Sequence, residues 1–565
     1  MRDAGVSQLD VILVSGDAYV DHPSFAAAMI GRALEAEGFS TGVIAQPDWK
    51  SADDFRRLGR PRLFFGVTAG NVDSMLAHYT VARKLRRDDA YSPGGEAGRR
   101  PNRATVVYSN RIREAWPGVP IIIGGIEASL RRLAHYDFWQ DKVRRSILLD
   151  AKADLLVYGM GEAQIAVVAR RLRQGEDIRR LTDVPGTVFE RSRRDPAPSE
   201  SVLAIPSYED CAEKPEEFAR AFKCVYLEQD PHRGRPVVQP HGNKLVVQNP
   251  PAKPLSTRAL DRLYELPFER RWHPQYDAAG GVPALETVRF SIVSHRGCYG
   301  DCAFCALAFH QGRTIQSRST QSILREVEAL ARLPEWRGVI SDVGGPTANM
   351  YGTGCSKGKA GCRNRRCLGN SPCPNLDAGP APLLRMLRAV RNAPGVRKVF
   401  TGSGIRFDLC LADKHDRYLR ELCEHHISGQ LKVAPEHVSE RVLQVMGKPG
   451  LESFEEFRRR FERINKELGK RQYLVCYFMS SHPGCGIDEM RELADYLRRS
   501  GMRPEQVQDF YPCPMTLASC IYHTGIHPLT GERVYVAKSD RDKLAQRRLL
   551  NKPGRKQTAH RRRPS

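Results

Sequence analysis

Apolar residues along this chain come in short runs separated by longer mixed stretches. Val11-Ile12-Leu13-Val14 is such a run. It leads through a loop to a stretch over 24–37 that reads as helix, with Ser24 as the expected N-cap and Gly38 as the stop. Further strands are expected at Leu63-Phe64-Phe65-Gly66-Val67, Ile121-Ile122-Ile123 and Leu155-Leu156-Val157. The last two run into glycine turns, Gly124-Gly125 and Gly159-Met160-Gly161-Glu162. Strand-turn-helix units of this kind build a doubly wound parallel sheet, which binds ligands at the carboxyl ends of its strands. That domain is expected over 1–195. Prolines and mixed charges over 196–286 suggest a connecting region with little core of its own. A second series opens at Val288-Arg289-Phe290-Ser291-Ile292-Val293 and continues through Val339-Ile340, Val399-Phe400, Leu431-Lys432-Val433 and Tyr473-Leu474-Val475. With helices expected over 319–333 and 455–468, it predicts a full or partial (β/α) barrel over 287–530. The fold class is therefore α/β, a doubly wound sheet followed by a partial TIM-type barrel. Residues 531–565 read as a basic tail, disordered at its end.

Charge changes this picture only locally. The chain of 565 residues carries a formal +23. From Lys538 onward eleven Lys or Arg face two acids, a net +9, so the remaining +14 is spread thinly. A solvated tail is the plainer expectation, and an RNA partner the sharper one. No apolar run reaches the roughly 20 residues of a membrane span, and no export signal opens the chain. The expectation is a cytoplasmic protein without a membrane partner. Fifteen cysteines then argue for thiols or metal ligands.

Seven of those cysteines lie between Cys298 and Cys373. Cys298, Cys302 and Cys305 follow the first strand of the second series in a C-x3-C-x2-C loop. Thiolates hold iron–sulfur clusters, and three ligands on a cubane leave one iron open. A zinc site completed by His295 or His310 is the competing reading. The loop, with Phe304 before its last cysteine, resembles the signature of radical S-adenosylmethionine (SAM) enzymes. That resemblance implies a [4Fe–4S] cluster and SAM, cleaved to methionine and a 5′-deoxyadenosyl radical. It also implies a SAM site shaped by Phe304, the Gly344-Gly345 backbone, Ser403, Arg406 and Glu436. The superfamily commonly has Gly-Gly-Glu where this chain has Gly344-Gly345-Pro346, so the carboxylate is missing and backbone carbonyls are left to receive the SAM amino group.

Cys355, Cys362, Cys367 and Cys373 lie in a Gly-, Arg- and Asn-rich insert over 352–376, spaced C-x6-C-x4-C-x5-C. Such a polar stretch gains little order from burial, and four thiolates suit zinc or an auxiliary iron–sulfur cluster as a second site. Free thiols and a disulfide pair are the alternatives. Asp21 is expected to cap its loop, with His22 at the surface. His425-His426 is expected to be solvated, and Cys513 and Cys520 to be packing residues.

Longer runs carry a family resemblance over about 10–550. They are Gly16-Asp17-Ala18-Tyr19-Val20-Asp21-His22-Pro23-Ser24-Phe25, Gly124-Gly125-Ile126-Glu127-Ala128-Ser129-Leu130-Arg131-Arg132, Gly345-Pro346-Thr347-Ala348-Asn349-Met350-Tyr351 and Ala434-Pro435-Glu436-His437. With them the chain resembles the YgiQ family of radical SAM proteins. The resemblance implies a cobalamin-binding-like N-terminal domain before a core similar to the MiaB/NifB group, and it supplies no settled reaction. The expected function is SAM cleavage with an unassigned substrate, modification of RNA or protein being favoured and flavodoxin or ferredoxin the expected electron donor. A non-catalytic iron–sulfur sensor or RNA-binding factor, and a cobalamin-dependent methyltransferase, are the alternatives.

Overall fold

The computed structural model describes residues 6–195, 201–358, 361–502 and 506–550. Its first body is built on a nine-stranded sheet. Five parallel strands run side by side in the order Thr41–Ala45, Val11–Ser15, Phe64–Thr68, Ile121–Ile123 and Leu155–Val157. The Val11–Ser15 strand is buried along its whole length, as expected where helices cover both faces of a parallel sheet. Its neighbours are reached by turning one way and then the other, so the topological switch point lies beside it.

The region over 196–286 is not a loose connector. Val237–His241 and Lys244–Gln248 form a hairpin that extends the sheet beyond Thr187–Ser192, and Leu203–Ala204 closes the edge. The helix Pro215–Leu227 buries Phe218, Phe222, Val225 and Tyr226 in the large core beside the sheet. Further along, Arg271–Trp272 pairs with Val20–Asp21. The proline and charge content misled because the apolar residues sit in short β-branched runs around the Gly242-Asn243 turn, which is a hairpin pattern. The helix expected from Ser24 spans Ala26–Ala36, and no side chain caps it.

The second body is an open parallel barrel. Ser291–Val293 pairs with Asp342–Gly344, and Val339–Ile340 with Lys398–Val399. A bridge from Ile405 to Val433 joins the next step, and Gln430–Glu436, Tyr473–Ser480 and Gln506–Asp509 complete the series. Helices such as Thr320–Ala331, Ala381–Arg391 and Leu451–Glu467 bury apolar faces around a second core.

The chain after residue 530 is also partly folded. The helix Asp540–Leu550 packs on Ile487–Ser500, and Gln546 is buried. Its amide accepts from the Ser481 N–H (2.8 Å) and donates to the Cys485 carbonyl (2.7 Å). Arg547 pairs with Asp509 at the end of the last barrel strand. Gln546→Ala would leave two buried backbone groups unsatisfied, at about 1–3 kcal/mol each. We expect a lower urea midpoint with an unchanged slope. The tail's basic end lies outside the described residues. Among those described, no helix is long and apolar enough to cross a membrane.

Candidate active site

The carboxyl ends of the two strand systems face each other across a cavity of about 540 Å³. The sheet contributes Thr68, Asn71, Gly124, Gly125, Gly159, Met160 and Glu162, and the barrel contributes Ser291, Arg296, His310, Asp342, Gly344, Gly345, Pro346 and Ser403. The apolar floor is formed by strand residues such as Leu13, Val67, Ile123 and Val157. Such an edge, with apolar walls and a few converging polar groups, is where a parallel α/β fold binds ligands.

Two polar groups lie across the cavity. Glu162, at the start of the helix Glu162–Arg173, pairs with Arg296 at 2.8 Å, and both are nearly fully buried. Glu162 Oε2 and Arg296 Nη1 are buried without a hydrogen-bond partner of their own.

The three-cysteine loop begins two residues after Arg296. It is closed at its base by pairing of His295–Arg296 with Gln316–Ser317, and Cys298 N–H donates to the Gly312 carbonyl at 3.1 Å. Cys298 Sγ lies 3.7 Å from Thr347 Oγ1. Burial pushes the Cys298 and Cys305 thiols up, and the neighbouring cysteines push the same way. Thiolates in this setting repel one another, so a cationic metal centre is the counterpart that makes them favourable. Among the described residues, no three Cys, His, Asp or Glu side chains converge to metal-ligand distance.

Arg406 Nη1 donates to Cys302 Sγ at 3.4 Å, while Nε and Nη2 bind both oxygens of Asp408 at 2.9 and 2.6 Å. The flanking carboxylate holds the guanidinium protonated, with a pKa above its ordinary value although burial opposes it. Arg406 therefore serves the cysteine loop. Glu436 is buried in a left-handed conformation (φ +68°), 3.9 Å from Lys448, and burial raises its pKa. A non-glycine residue held there stores strain of the kind found at functional sites. Phe304 packs between both cores, edge-on to His482.

Gly344, Gly345 and Ser403 reach the cavity, but the Gly344 carbonyl is already taken. It accepts from the Ser294 N–H (2.7 Å) and Ser294 Oγ (3.0 Å), because strand pairing turns it inward. A carboxylate does stand near the Pro346 turn, that of Asp342, two residues before Gly344. Asp342 lines the cavity and accepts from the Ser403 hydroxyl and from the backbone N–H groups of Gly402 (2.8 Å) and Ser403 (3.0 Å). Burial raises its pKa. Sequence reasoning passed over Asp342 because it lies inside a strand, ahead of the glycine pair.

Cys355, Cys362, Cys367 and Cys373 are gathered in the insert. Burial raises the Cys367 thiol to about 11, and the other three cysteines add to the rise. Cys373 N–H donates to the Cys367 carbonyl at 2.9 Å, and Cys355 pairs with Leu376.

Two histidine expectations are corrected. His22 is buried, accepting from Ser24 N–H at Nδ1 (3.0 Å) and facing Arg270 at Nε2 (3.2 Å). His426 is buried against the Val399 carbonyl (2.9 Å). Both pairs looked polar enough for the surface, yet each fills a hydrogen-bonding gap between elements.

Burial pushes His295, His310 and His482 down to about 4 each. These folded values lie below the ordinary 6.5, so their contribution to stability is fully present above that pH. It is lost as pH falls from about 6.5 to about 4, on the order of 1 kcal/mol per pH unit for each titrating group. A urea midpoint flat from pH 8 to 7 and falling steeply below 6.5 is expected. A midpoint flat to pH 4.5 would contradict this burial.

Residues 1–291 match the family model described as Radical SAM N-terminal, 292–497 match the Radical SAM superfamily, and 505–553 match a domain of unknown function (DUF3362). A UPF0313 protein of Methanosarcina acetivorans is 51% identical over 98% of this chain and 77% of its own length. One from Clostridium botulinum is 51% identical over 97% of this chain and 86% of its own. Among solved structures, the radical SAM methyltransferase TsrM from Kitasatospora setae aligns with TM-score 0.48 and 17% identity, over 90% of this chain and 75% of that one. The cobalamin-dependent radical SAM enzyme OxsB aligns with TM-score 0.48 and 13% identity, over 91% and 55%. The likeness to these two stops at that coarse level.

Proposed function

The chain belongs to the UPF0313 family and is a radical SAM enzyme; from that premise we propose that Cys298, Cys302 and Cys305 hold its [4Fe–4S] cluster beside the cavity, and that the cavity receives the substrate. Bound there, cluster and SAM supply the chemistry, one electron splitting the sulfonium into methionine and a 5′-deoxyadenosyl radical that takes a hydrogen atom. The chain's own residues position that event. Arg406 places a fixed positive charge against Cys302, favouring the electron-rich state of the loop. Asp342, preset by three hydrogen bonds, is placed to accept the SAM amino group, and Ser403 is held beside it. The apolar walls keep water from a radical formed between them. The observation that carries the reading is the adjacency of the cysteine loop, Arg406 and the Asp342 edge at one end of the barrel.

Anaerobic reconstitution tests it. Iron and sulfide in the parent, lost from a Cys298→Ala/Cys302→Ala/Cys305→Ala variant, and a reduced-cluster EPR spectrum that changes on adding SAM, are the expected results. A spectrum indifferent to SAM would favour the sensor reading. Asp342 weakens that reading, since the missing acid at Pro346 was its main support.

The cavity at the sheet edge supports a second reading, a cobalamin-dependent methyltransferase. His22 does not line it, so any corrinoid would bind without that imidazole. Retention of the hydroxocobalamin spectrum after desalting tests this; its loss removes the reading. RNA or protein as substrate, flavodoxin or ferredoxin as donor and a cytoplasmic setting complete the proposal. An RNA affinity that barely changes with salt would count against the charge argument on which RNA rests.

A further inference from the structure

A flap at the rim of the cavity carries charge that the fold leaves unpaired. Asn71 and Tyr91 both line the cavity, and the chain between them forms this flap. Asp17 ties down both roots. It accepts from the Asn71 N–H (2.6 Å) and pairs with Arg100 (3.0 Å), which in turn binds Asp89 (2.7 Å). After the helix Ser74–His78 the flap folds back on itself as a small hairpin. Tyr79 bridges to Leu85, Thr80 N–H donates to the Lys84 carbonyl (2.8 Å), and Arg86 N–H donates to the His78 carbonyl (2.7 Å). The bend holds Arg83 at φ +57°, a strained conformation for a residue with a side chain. The hairpin is therefore a built feature of the sheet edge.

No acid occurs from Ser74 to Arg87, while Arg83, Lys84, Arg86 and Arg87 are all exposed. None of the four has an ion-pair partner among the described residues. Other surface arginines do. On the helix Leu451–Glu467, Arg458, Arg459, Arg460 and Arg463 each bind a carboxylate. Like charges crowded on one hairpin repel one another, and a polyanion relieves that repulsion. Aromatic rings stand beside them. Arg83 lies over the Phe138 ring (4.8 Å) and donates to the Phe138 carbonyl (2.9 Å), and Tyr79 packs on half-buried Trp139 with centroids 5.1 Å apart. Leu85 is 71% exposed among the cations. Cations interleaved with rings suit a strand whose phosphates and bases are both within reach, whereas an acidic peptide would use the cations alone. We infer that the flap over 78–87 is a docking surface for single-stranded nucleic acid and presents it to the cavity. Phosphates lie along Lys84, Arg86 and Arg87, and one unstacked base enters between the apolar walls.

This inference deepens the reading of RNA as substrate and rests on it for the choice of strand, while the cluster assignment plays no part in the measurement. The anaerobically reconstituted full chain is titrated against a fluorescein-labelled single strand of about 12 nucleotides, as RNA and as DNA of the same sequence. Anisotropy is read between about 50 and 200 mM salt. Lys84→Gln/Arg87→Gln removes two charges whose side chains make no hydrogen bond, so the hairpin keeps its shape. Arg57→Gln/Arg60→Gln removes the same exposed charge at the opposite, amino edge of the sheet, where the Arg60 carbonyl accepts from Gln8 (2.9 Å). The hairpin variant is expected to bind roughly tenfold more weakly, with a slope of log affinity on log salt flatter by about 1.4, or two phosphate contacts at about 0.7 each. The control variant is expected to stay within about twofold of the parent, since its charges lie away from the strand. Equal losses in the two variants, or an unchanged slope in Lys84→Gln/Arg87→Gln, would overturn the inference. So would an oligoglutamate of equal charge that displaces the strand as well as unlabelled RNA does, which would make the flap a site for acidic protein. Tighter binding of the DNA strand would uphold the docking surface and remove the RNA reading.

Discussion

Arg406→Ala should be the most damaging single substitution at the site. Its guanidinium and the Asp408 carboxylate are 7% and 5% exposed, and removing one partner leaves the other charge buried without compensation, at about 3–5 kcal/mol. The same substitution removes the donor to Cys302 Sγ. Stability and function separate in the double variant Arg406→Met/Asp408→Leu, where two apolar side chains of similar volume replace the ion pair. Its urea midpoint should return close to that of the parent, since such replacements are often neutral. SAM cleavage should remain at least tenfold down, because the charge beside the cysteine loop has not returned. Recovery of both would mean that Arg406 only props the fold.

Gly297→Ala should have the next largest effect, through geometry alone. Gly297 has φ +87°, and a Cβ there would stand 2.2 Å from the Thr314 carbonyl oxygen. The left-handed conformation costs of order 1–3 kcal/mol for a side-chain-bearing residue, and Thr314 would have to move as well. Thr314 lies in the bend that leads into the return strand Gln316–Ser317, between Gly312, which binds Cys298 N–H, and Gln316, which pairs with Arg296. The expected outcome is less than half the parent's iron after reconstitution, with the far-UV circular dichroism spectrum unchanged. Full iron loading would show that the loop tolerates a shift the packing does not suggest.

Much of the barrel was legible because its strands are short apolar runs at regular separation, and the C-x3-C-x2-C loop follows a strand, as its position after an apolar run suggested. The central strands of the first sheet were legible for the same reason. The hairpin Val237–Gln248 was not, although Val237-Val238 and Leu245-Val246-Val247 flank a turn. Prolines nearby outweighed a pattern only a few residues long. The role of Gly344 was misjudged because a carbonyl's availability depends on its strand partner, here Ser294, fifty residues earlier. Asp342 was hidden for a related reason. Its hydrogen bonds come from Ser403 and Gly402 in the loop after Lys398–Val399, and no local spacing reports that. His22 and His426 show the same limit, since burial is decided by what packs over a residue.

The central claim is that this site cleaves SAM. The most direct measurement incubates the anaerobically reconstituted protein with SAM and dithionite and quantifies 5′-deoxyadenosine and methionine. Both products in equal amounts from the parent, and neither from the Cys298→Ala/Cys302→Ala/Cys305→Ala variant, are the predicted result. Fully iron-loaded parent that binds SAM yet yields no more 5′-deoxyadenosine than the variant would contradict it.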